Sequence, residues 1–221
     1  MQMIRIAIDG PGGAGKSTIA KLVGNKLGLE YIDTGAMYRA IGLKLDREGI
    51  KPDDIISIRN MLEETAIDFV NGRIILDGVD VSDVIRTQEI SKLASIYSQV
   101  PEVRSKLIDI QRRIAAGKGV IMDGRDIGTN VLTDAELKIF LTADPMVRAR
   151  RRYDELKAKG VKTILDDIYE EIKDRDYQDM NRKLNPLVQA EDAAMVDTSD
   201  MTIDEVVNTI VSMATRVSCR E

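Results

Sequence analysis

Short apolar runs alternate along the chain with longer segments whose apolar residues recur at helical spacing. The first run, residues 3–8, is followed after a glycine-rich turn by the helically spaced set Ile19, Ala20, Leu22, Val23 and Leu27. Similar short apolar runs occupy residues 30–32, 119–122, 137–141 and 194–196. Five strands alternating with helices predict an α/β fold with a five-stranded parallel sheet.

A different pattern interrupts this alternation between residues 66 and 83. Three strand-like runs, 67–70, 73–76 and 79–82, are joined by Asn71-Gly72 and Asp77-Gly78. Both dipeptides favour two-residue hairpin turns. The pattern predicts a small three-stranded meander inserted into the α/β core, followed by a polar helix to about residue 98.

The N-termini of two helices can be predicted from their capping residues. Asp144 provides a capping carboxylate before a proline at the first helical position, and Thr202 with Glu205 forms a capping box. Behind that box, one apolar stripe predicts a helix packed on the sheet: Ile203, Val206, Val207, Ile210, Val211 and Ala214.

Length and composition narrow the class of protein. The chain has 221 residues, 43% hydrophobic and 31% charged, which predicts one compact globular unit. We expect this unit to be a monomer. No apolar stretch approaches the roughly 20 residues of a membrane span, and the N-terminus runs straight into a strand-like pattern, so we expect a cytoplasmic protein. A net charge of −5 argues against a nucleic-acid footprint.

The absence of histidine limits the possible chemistry. With no histidine and a single cysteine, Cys219, the chain has no internal disulfide, no cysteine- or histidine-based metal site and no Ser-His or Cys-His nucleophile pair. Any catalysis must therefore rely on carboxylates, lysines, arginines and hydroxyl groups.

The glycine-rich turn fits the phosphate-loop pattern G-x-x-x-x-G-K-[ST] between a predicted strand and a predicted helix. Its backbone N–H groups are expected to surround the phosphates of ATP, with Lys16 reaching the β- and γ-phosphates and the Ser17 hydroxyl binding Mg²⁺. The predicted ATP-binding residues are Gly10, Pro11, Gly12, Gly13, Ala14, Gly15, Lys16, Ser17 and Thr18.

The loop alone does not distinguish a switch, a motor and a small-molecule kinase. No Asn-Lys-x-Asp segment for reading guanine is present, and the chain is short for a motor. Arg39 and Arg125 follow the ends of predicted strands, where a parallel sheet opens to its ligand, and they indicate a second anion site. A regulatory nucleotide-binding protein without an acceptor, and a kinase for a non-nucleotide acceptor such as shikimate or gluconate, remain open.

Several further segments carry a resemblance to a known family. They are 31–39, 94–95, 100–104, 111–112, 123–129, 151–152, 155–156, 159–160, 175–176, 179, 181–182 and 186–187. On these segments, the inserted meander and the phosphate loop, the chain resembles bacterial cytidylate kinases over nearly its whole length. The resemblance implies transfer of the γ-phosphoryl group of ATP to cytidine monophosphate (CMP) or dCMP.

The resemblance also implies an organisation. It implies a three-layer fold of the P-loop NTPase type, with a core of about 1–33, 99–147 and 166–221. The nucleoside-monophosphate region, including the meander, would span about 34–98, and a lid about 148–165.

Carried over by position, the resemblance implies roles for individual side chains. Thr34, Arg39, Arg125 and Arg182 would face the acceptor phosphate, Ser95, Arg104 and Asp126 the base, and Arg175 with Asp179 the ribose. Thr34 stands where the family often has serine, so the hydroxyl is kept. The alternative for Arg104 and Asp126 is a structural salt bridge between the two.

The predicted lid begins with four arginines in five residues, Arg148, Arg150, Arg151 and Arg152. Such a helix is often a solvated face held by i,i+4 pairs such as Arg151 with Glu155. In the family, lid arginines close over the transferring phosphoryl group together with one near Arg175. The catalytic residues implied are therefore Lys16, Arg125, Arg152 and Arg175, without a general base.

Overall fold

A computed structural model describes residues 4–70 and 72–218 of the chain. Met3, Asn71 and Cys219, which enter the predictions above, lie outside these residues. The chain divides after Tyr31 and after Gly117. One compact unit is Ile32–Gly117, and the described residues before and after this range form the other.

Strands and helices follow one another in the order the sequence predicts. The strands are β1 (Arg5–Asp9), β2 (Glu30–Asp33), β3 (Ile67–Val70), β4 (Arg73–Leu76), β5 (Val79–Asp80), β6 (Val120–Gly124), β7 (Leu137–Thr142) and β8 (Ala194–Asp197). The helices are α1 (Lys16–Leu27), α2 (Thr34–Arg47), α3 (Ile55–Glu63), α4 (Gln88–Tyr97), α5 (Pro101–Ala115), α6 (Pro145–Ala158), α7 (Leu165–Asn181) and α8 (Ile203–Ser218). A 3₁₀ turn (Val84–Arg86) and a π-helical turn (Ile127–Val131) complete the set.

The five-stranded parallel sheet has the order β2-β6-β1-β7-β8. β1 lies in the centre and pairs in parallel with both β6 and β7, while β8 extends the sheet beyond β7. Ile6 and Ile8 of β1 are fully buried, as expected for a central strand covered on both faces. All five strands predicted from the apolar runs are confirmed.

Helices α1 and α8 pack with the strands in one apolar cluster that includes Val23, Val207 and Ile210. One residue predicted for the buried stripe of α8 is wrong. Ile203 is 54% exposed because it opens α8, where side chains point past the helix end. Leu22 is 37% exposed because a step of two residues turns it well away from Ala20 on the buried face of α1.

Both predicted helix caps are present. The Asp144 carboxylate accepts hydrogen bonds from the N–H groups of Met146 and Val147. At the start of α8, the Thr202 hydroxyl accepts from the Glu205 N–H, and Glu205 accepts from the Thr202 N–H. The reciprocal pair is the predicted capping box.

The second unit contains the predicted antiparallel meander β3-β4-β5. Asp77 and Gly78 both have positive φ, 50° and 80°, as a tight two-residue hairpin turn requires. β5 ends at Asp80, two residues earlier than predicted, although the Val81 N–H still donates to the Ile74 carbonyl. The predicted polar helix is α4, and it is amphipathic, with Ile90, Ala94 and Tyr97 buried.

Within residues 4–70 and 72–218, no helix is both long enough and apolar enough to cross a membrane.

Candidate active site

The phosphate loop connects the central strand β1 to α1. Gly10 has φ +147°, and a Cβ at this position would lie 1.9 Å from the carbonyl oxygen of Leu141 in β7. No side chain fits there, so glycine lets the loop leave the sheet. Gly15, in the left-handed conformation, caps α1 and gives the loop the turn that aims backbone N–H groups at an anion.

Lys16 is buried at the first position of α1, with 6% of its surface exposed. Its ammonium group donates a 2.7 Å hydrogen bond to the carbonyl oxygen of Pro11 within the same loop. Burial, followed by the positive charge of Arg125, lowers the pKa of Lys16 well below its ordinary value. An incoming phosphate would supply the negative charge that stabilises the ammonium form.

A hydroxyl and a carboxylate meet beside Lys16. The Ser17 hydroxyl donates a 2.7 Å hydrogen bond to one oxygen of Asp123, the penultimate residue of β6, which is 5% exposed. The Tyr31 hydroxyl donates to the other oxygen at 2.9 Å. Among the described residues, no group of three or more acidic, cysteine or histidine side chains could hold a metal ion. One hydroxyl and one carboxylate nevertheless fit Mg²⁺, which takes few protein oxygens and completes its shell with phosphate and water.

Two predicted catalytic arginines lie against the phosphate loop. A Cβ on Gly12 would lie 3.4 Å from a terminal nitrogen of Arg125 and 3.7 Å from Cδ of Arg175. Arg125 donates a 2.6 Å hydrogen bond to Asp179. Burial favours the neutral form of Asp179, but the charge and hydrogen bond of Arg125 outweigh it and lower the pKa of this carboxyl. The structure thus gathers Arg125, Arg175 and Asp179 beside Lys16.

Asp126 and Arg182 form a buried ion pair, with 3.0 Å between the Arg182 nitrogen and the carboxylate oxygen. Their side chains are 8% and 7% exposed. Arg182 also donates to the carbonyl oxygen of Asn185 at 2.6 Å. A base-reading role for Asp126 and a phosphate role for Arg182 stay predictions.

The arginines at the start of the predicted lid have separate environments. Arg152 is exposed and pairs with Glu155 at 3.0 Å, whereas Arg151 donates to the Thr198 carbonyl at 2.6 Å. In place of the Arg151–Glu155 pair of the solvated-face alternative, Thr198 binds Arg151, while Arg152 and Lys159 pair with Glu155. The catalytic role of Arg152 remains a prediction.

Arg148, in the same run, is buried with 3% of its side chain exposed. Its guanidinium donates to the carbonyl oxygens of Ala143 and Gly12, each at 2.9 Å, and to Asp176 at 2.6 Å. This arginine ties the first turn of α6 to the phosphate loop and to α7.

The second unit holds the other predicted acceptor residues. Asp33 caps α2 by accepting the Ala36 N–H and also pairs with Arg39 at 2.9 Å, next to buried Thr34.

Arg104 is buried in α5. Its guanidinium carbon lies 5.6 Å from the Tyr38 ring centroid, and one nitrogen donates to the Ser98 carbonyl at 3.2 Å. Ser95 lies on α4, partly buried, and its carbonyl accepts the Ser98 hydroxyl. The ligands of Thr34, Arg39, Ser95 and Arg104 stay predictions.

Sequence reasoning assigned no role to Asp123, Tyr31 or Asp9, and it treated Arg148 only as one of the lid arginines. Asp123 could have been found, because an aspartate at the end of a buried parallel strand is the usual second magnesium ligand in phosphate-loop proteins. Nothing in the sequence distinguishes Arg148 from its arginine neighbours.

The chain was compared with known proteins and structures. The family model described as cytidylate kinase matches residues 6–216. A cytidylate kinase from Clostridium botulinum (strain Loch Maree / Type A3) is 50% identical over 216 residues, covering 98% of this chain and 100% of that protein. A cytidylate kinase from Caldicellulosiruptor saccharolyticus is 52% identical over 221 residues, covering 98% of each.

A solved structure supports the fold independently of close sequence similarity. An uncharacterized protein from Eubacterium ventriosum superimposes with a TM-score of 0.53 at 13% identity, covering 97% of this chain and 99% of that one. Identity this low bears on the fold alone, whereas the family model and the relatives span nearly the full chain. The chain therefore belongs to the cytidylate kinase family.

Proposed function

We propose that the protein transfers the γ-phosphoryl group of ATP to CMP and dCMP, giving ADP with CDP or dCDP, in pyrimidine nucleotide metabolism. The observation that carries this proposal is the cluster of cationic side chains at the phosphate loop. Lys16 lies within the loop, and Arg125 and Arg175 lie against Gly12. A nucleotide-binding regulator has no need of two further guanidinium groups at the site of the terminal phosphate.

The reaction needs no general base, which agrees with a chain that has no histidine. A phosphate monoester has a second pKa of about 6, so an acceptor oxygen of CMP is already anionic at neutral pH. That oxygen forms a bond to the γ-phosphorus while the bond from this phosphorus to the bridging oxygen of ADP breaks. Lys16, Arg125 and Arg175 offset the negative charge shared between the two nucleotides and hold them in line.

Mg²⁺ would be held by the Ser17 hydroxyl and the Asp123 carboxylate together with phosphate oxygens. When bound, it neutralises charge on the β- and γ-phosphates. The Tyr31 hydroxyl orients Asp123 through the hydrogen bond to its other oxygen. A hydroxyl oxygen keeps lone pairs when it donates its proton, so Ser17 could keep its 2.7 Å hydrogen bond to Asp123 while its oxygen bound the metal.

Selection of cytosine is proposed to rest on the side chains of Asp126, Arg104 and Ser95. Cytosine presents an N4 donor next to N3 and O2 acceptors, which a carboxylate and a guanidinium complement. Uracil would set its O4 against the carboxylate and its N3–H against the guanidinium, leaving polar groups unpaired. When the base binds, Asp126 must then either release Arg182 or share its carboxylate between Arg182 and the cytosine.

An assay of ADP release across a panel of acceptors tests this function. CMP and dCMP should stimulate ADP formation strongly, UMP weakly, and AMP, GMP, shikimate and gluconate not at all. ATP binding without stimulation by any acceptor would favour a regulator, and stimulation by a small alcohol alone would favour another kinase class. The Lys16→Met variant, checked by circular dichroism, controls for contaminating kinases.

A further inference from the structure

Asp9 is a buried carboxylate to which the proposed chemistry assigns no role. It is the last residue of β1, directly before the phosphate loop, and only 5% exposed. One carboxylate oxygen accepts the Ile127 N–H at 2.7 Å, and the other accepts the Gly128 N–H at 2.7 Å. Both oxygens thus bind successive backbone N–H groups of one turn.

That turn needs an outside acceptor. Ile127–Val131 forms a π-helical turn, closed by the hydrogen bond from the Leu132 N–H to the Ile127 carbonyl at 2.7 Å. The first N–H groups of any helical turn have no acceptor within it. Asp9 supplies that acceptor from a different element of the fold.

Asp9 holds both ends of a two-residue bridge. Its backbone pairs with Gly124, the last residue of β6, in the parallel sheet. Its side chain holds Ile127, three residues further along the chain. The two residues between these fixed points are Arg125, which lies against the phosphate loop, and Asp126.

The packing around the turn leaves little freedom for another arrangement. A Cβ on Gly128 would lie 3.4 Å from the Asp9 carboxylate and 3.1 Å from Cδ of Lys138. The Lys138 ammonium pairs with Asp192 at 2.8 Å, and the charges that act on Asp9 are those of Asp126 and Lys16. Asp9 therefore holds the turn through backbone hydrogen bonds, and glycine at position 128 permits the close approach.

We propose that Asp9 is a positioning residue, which fixes Arg125 and Asp126 toward the phosphoryl acceptor by holding Gly124 and Ile127 at once. The proposal rests on the proposed CMP kinase function. An amide in place of the carboxylate has the same shape but only one acceptor oxygen. Its NH₂ group would face an N–H, so one of the two hydrogen bonds is lost.

The test compares Asp9→Asn with Asp197→Asn, a control at the end of β8 whose exposed carboxylate accepts from the Ser199 N–H. For Asp9→Asn we expect kcat/KM for CMP to fall by about 100-fold, because a small displacement of oriented groups costs that much. The dissociation constant for ATP without CMP should change less than about twofold, and the control should match the wild type. In Gly128→Ala, the added methyl group should displace the turn while Asp9 itself is unchanged. This variant should likewise lower kcat/KM for CMP and leave the dissociation constant for ATP nearly unchanged.

Other outcomes overturn the inference. Unchanged CMP kinetics in a folded Asp9→Asn variant would exclude positioning, as would an equal loss of ATP and CMP affinity. If neither variant folds by circular dichroism, Asp9 is a folding residue and the proposal is wrong. If the wild type itself does not phosphorylate CMP, the proposed function fails instead, so the two failures are distinguishable.

Discussion

The ionised form of Asp9 should destabilise the folded protein at neutral pH. Burial, only partly offset by the two backbone hydrogen bonds, raises the pKa of Asp9 from 3.8 to about 6. A carboxyl whose folded pKa is raised contributes stability that is complete below its unfolded pKa and is lost as pH rises through its folded pKa. The shift corresponds to a cost of about 3 kcal/mol near pH 7 and about 1.5 kcal/mol at pH 5.

Removing this ionisation should change how stability depends on pH. We expect the free energy of unfolding of Asp9→Asn, relative to wild type, to rise by about 1.5 kcal/mol between pH 5 and pH 7. Urea denaturation measures this difference in the free energy of unfolding. Unfolding is followed by far-ultraviolet circular dichroism, because the chain has no tryptophan to serve as a fluorescent probe. Subtracting the wild-type value from that of Asp9→Asn cancels the contributions of all titratable groups that the substitution does not affect. A difference that stays constant from pH 5 to pH 7 would refute the reasoning.

Three further predictions concern the site. Lys16→Met should lower kcat by about 10³-fold with an unchanged circular dichroism spectrum, since Lys16 stabilises charge on the transferring group; near-normal turnover would contradict that role. Ser17→Ala and Asp123→Asn should each raise the Mg²⁺ concentration that gives a half-maximal rate. The increase in the double variant, as a free energy, should be smaller than the sum of the two single increases, because the two side chains share one hydrogen bond. Additive increases would mean that the two side chains act separately. Asp126→Ala should reduce kcat/KM more for CMP than for UMP and so narrow the ratio between them; equal losses would leave Asp126 as a scaffold for Arg182.

The sheet and the meander could be predicted because their determinants are local. A buried parallel strand is a short apolar run, and the Asp77-Gly78 turn depends on two residues that tolerate positive φ. Ile203 was misplaced because helical periodicity identifies the buried face of a helix but neither the edges of that face nor where the helix ends. Those limits are set by neighbouring elements and not by the helix sequence.

The contacts that join the site were not predictable from spacing. Asp9 and Ile127 are separated by 118 positions, and Ser17 and Asp123 by 106. Pairing of β1 with β6 brings both pairs together, so they follow from strand order and register. Arg148 shows the same limit, because its burial depends on Gly12 and Asp176, whereas the adjacent arginine-rich sequence looks uniformly solvated.

Transfer of the phosphoryl group itself is the most direct measurement of the central claim. The protein should be incubated with ATP labelled with ³²P at the γ-position, CMP and Mg²⁺, and the nucleotides separated by anion-exchange chromatography. We predict that the label appears in the β-phosphate of CDP, in proportion to ADP formed, and that Lys16→Met lowers the rate of labelling by about 10³-fold. Label recovered as inorganic phosphate, or no CDP from a folded wild-type protein, would contradict the account.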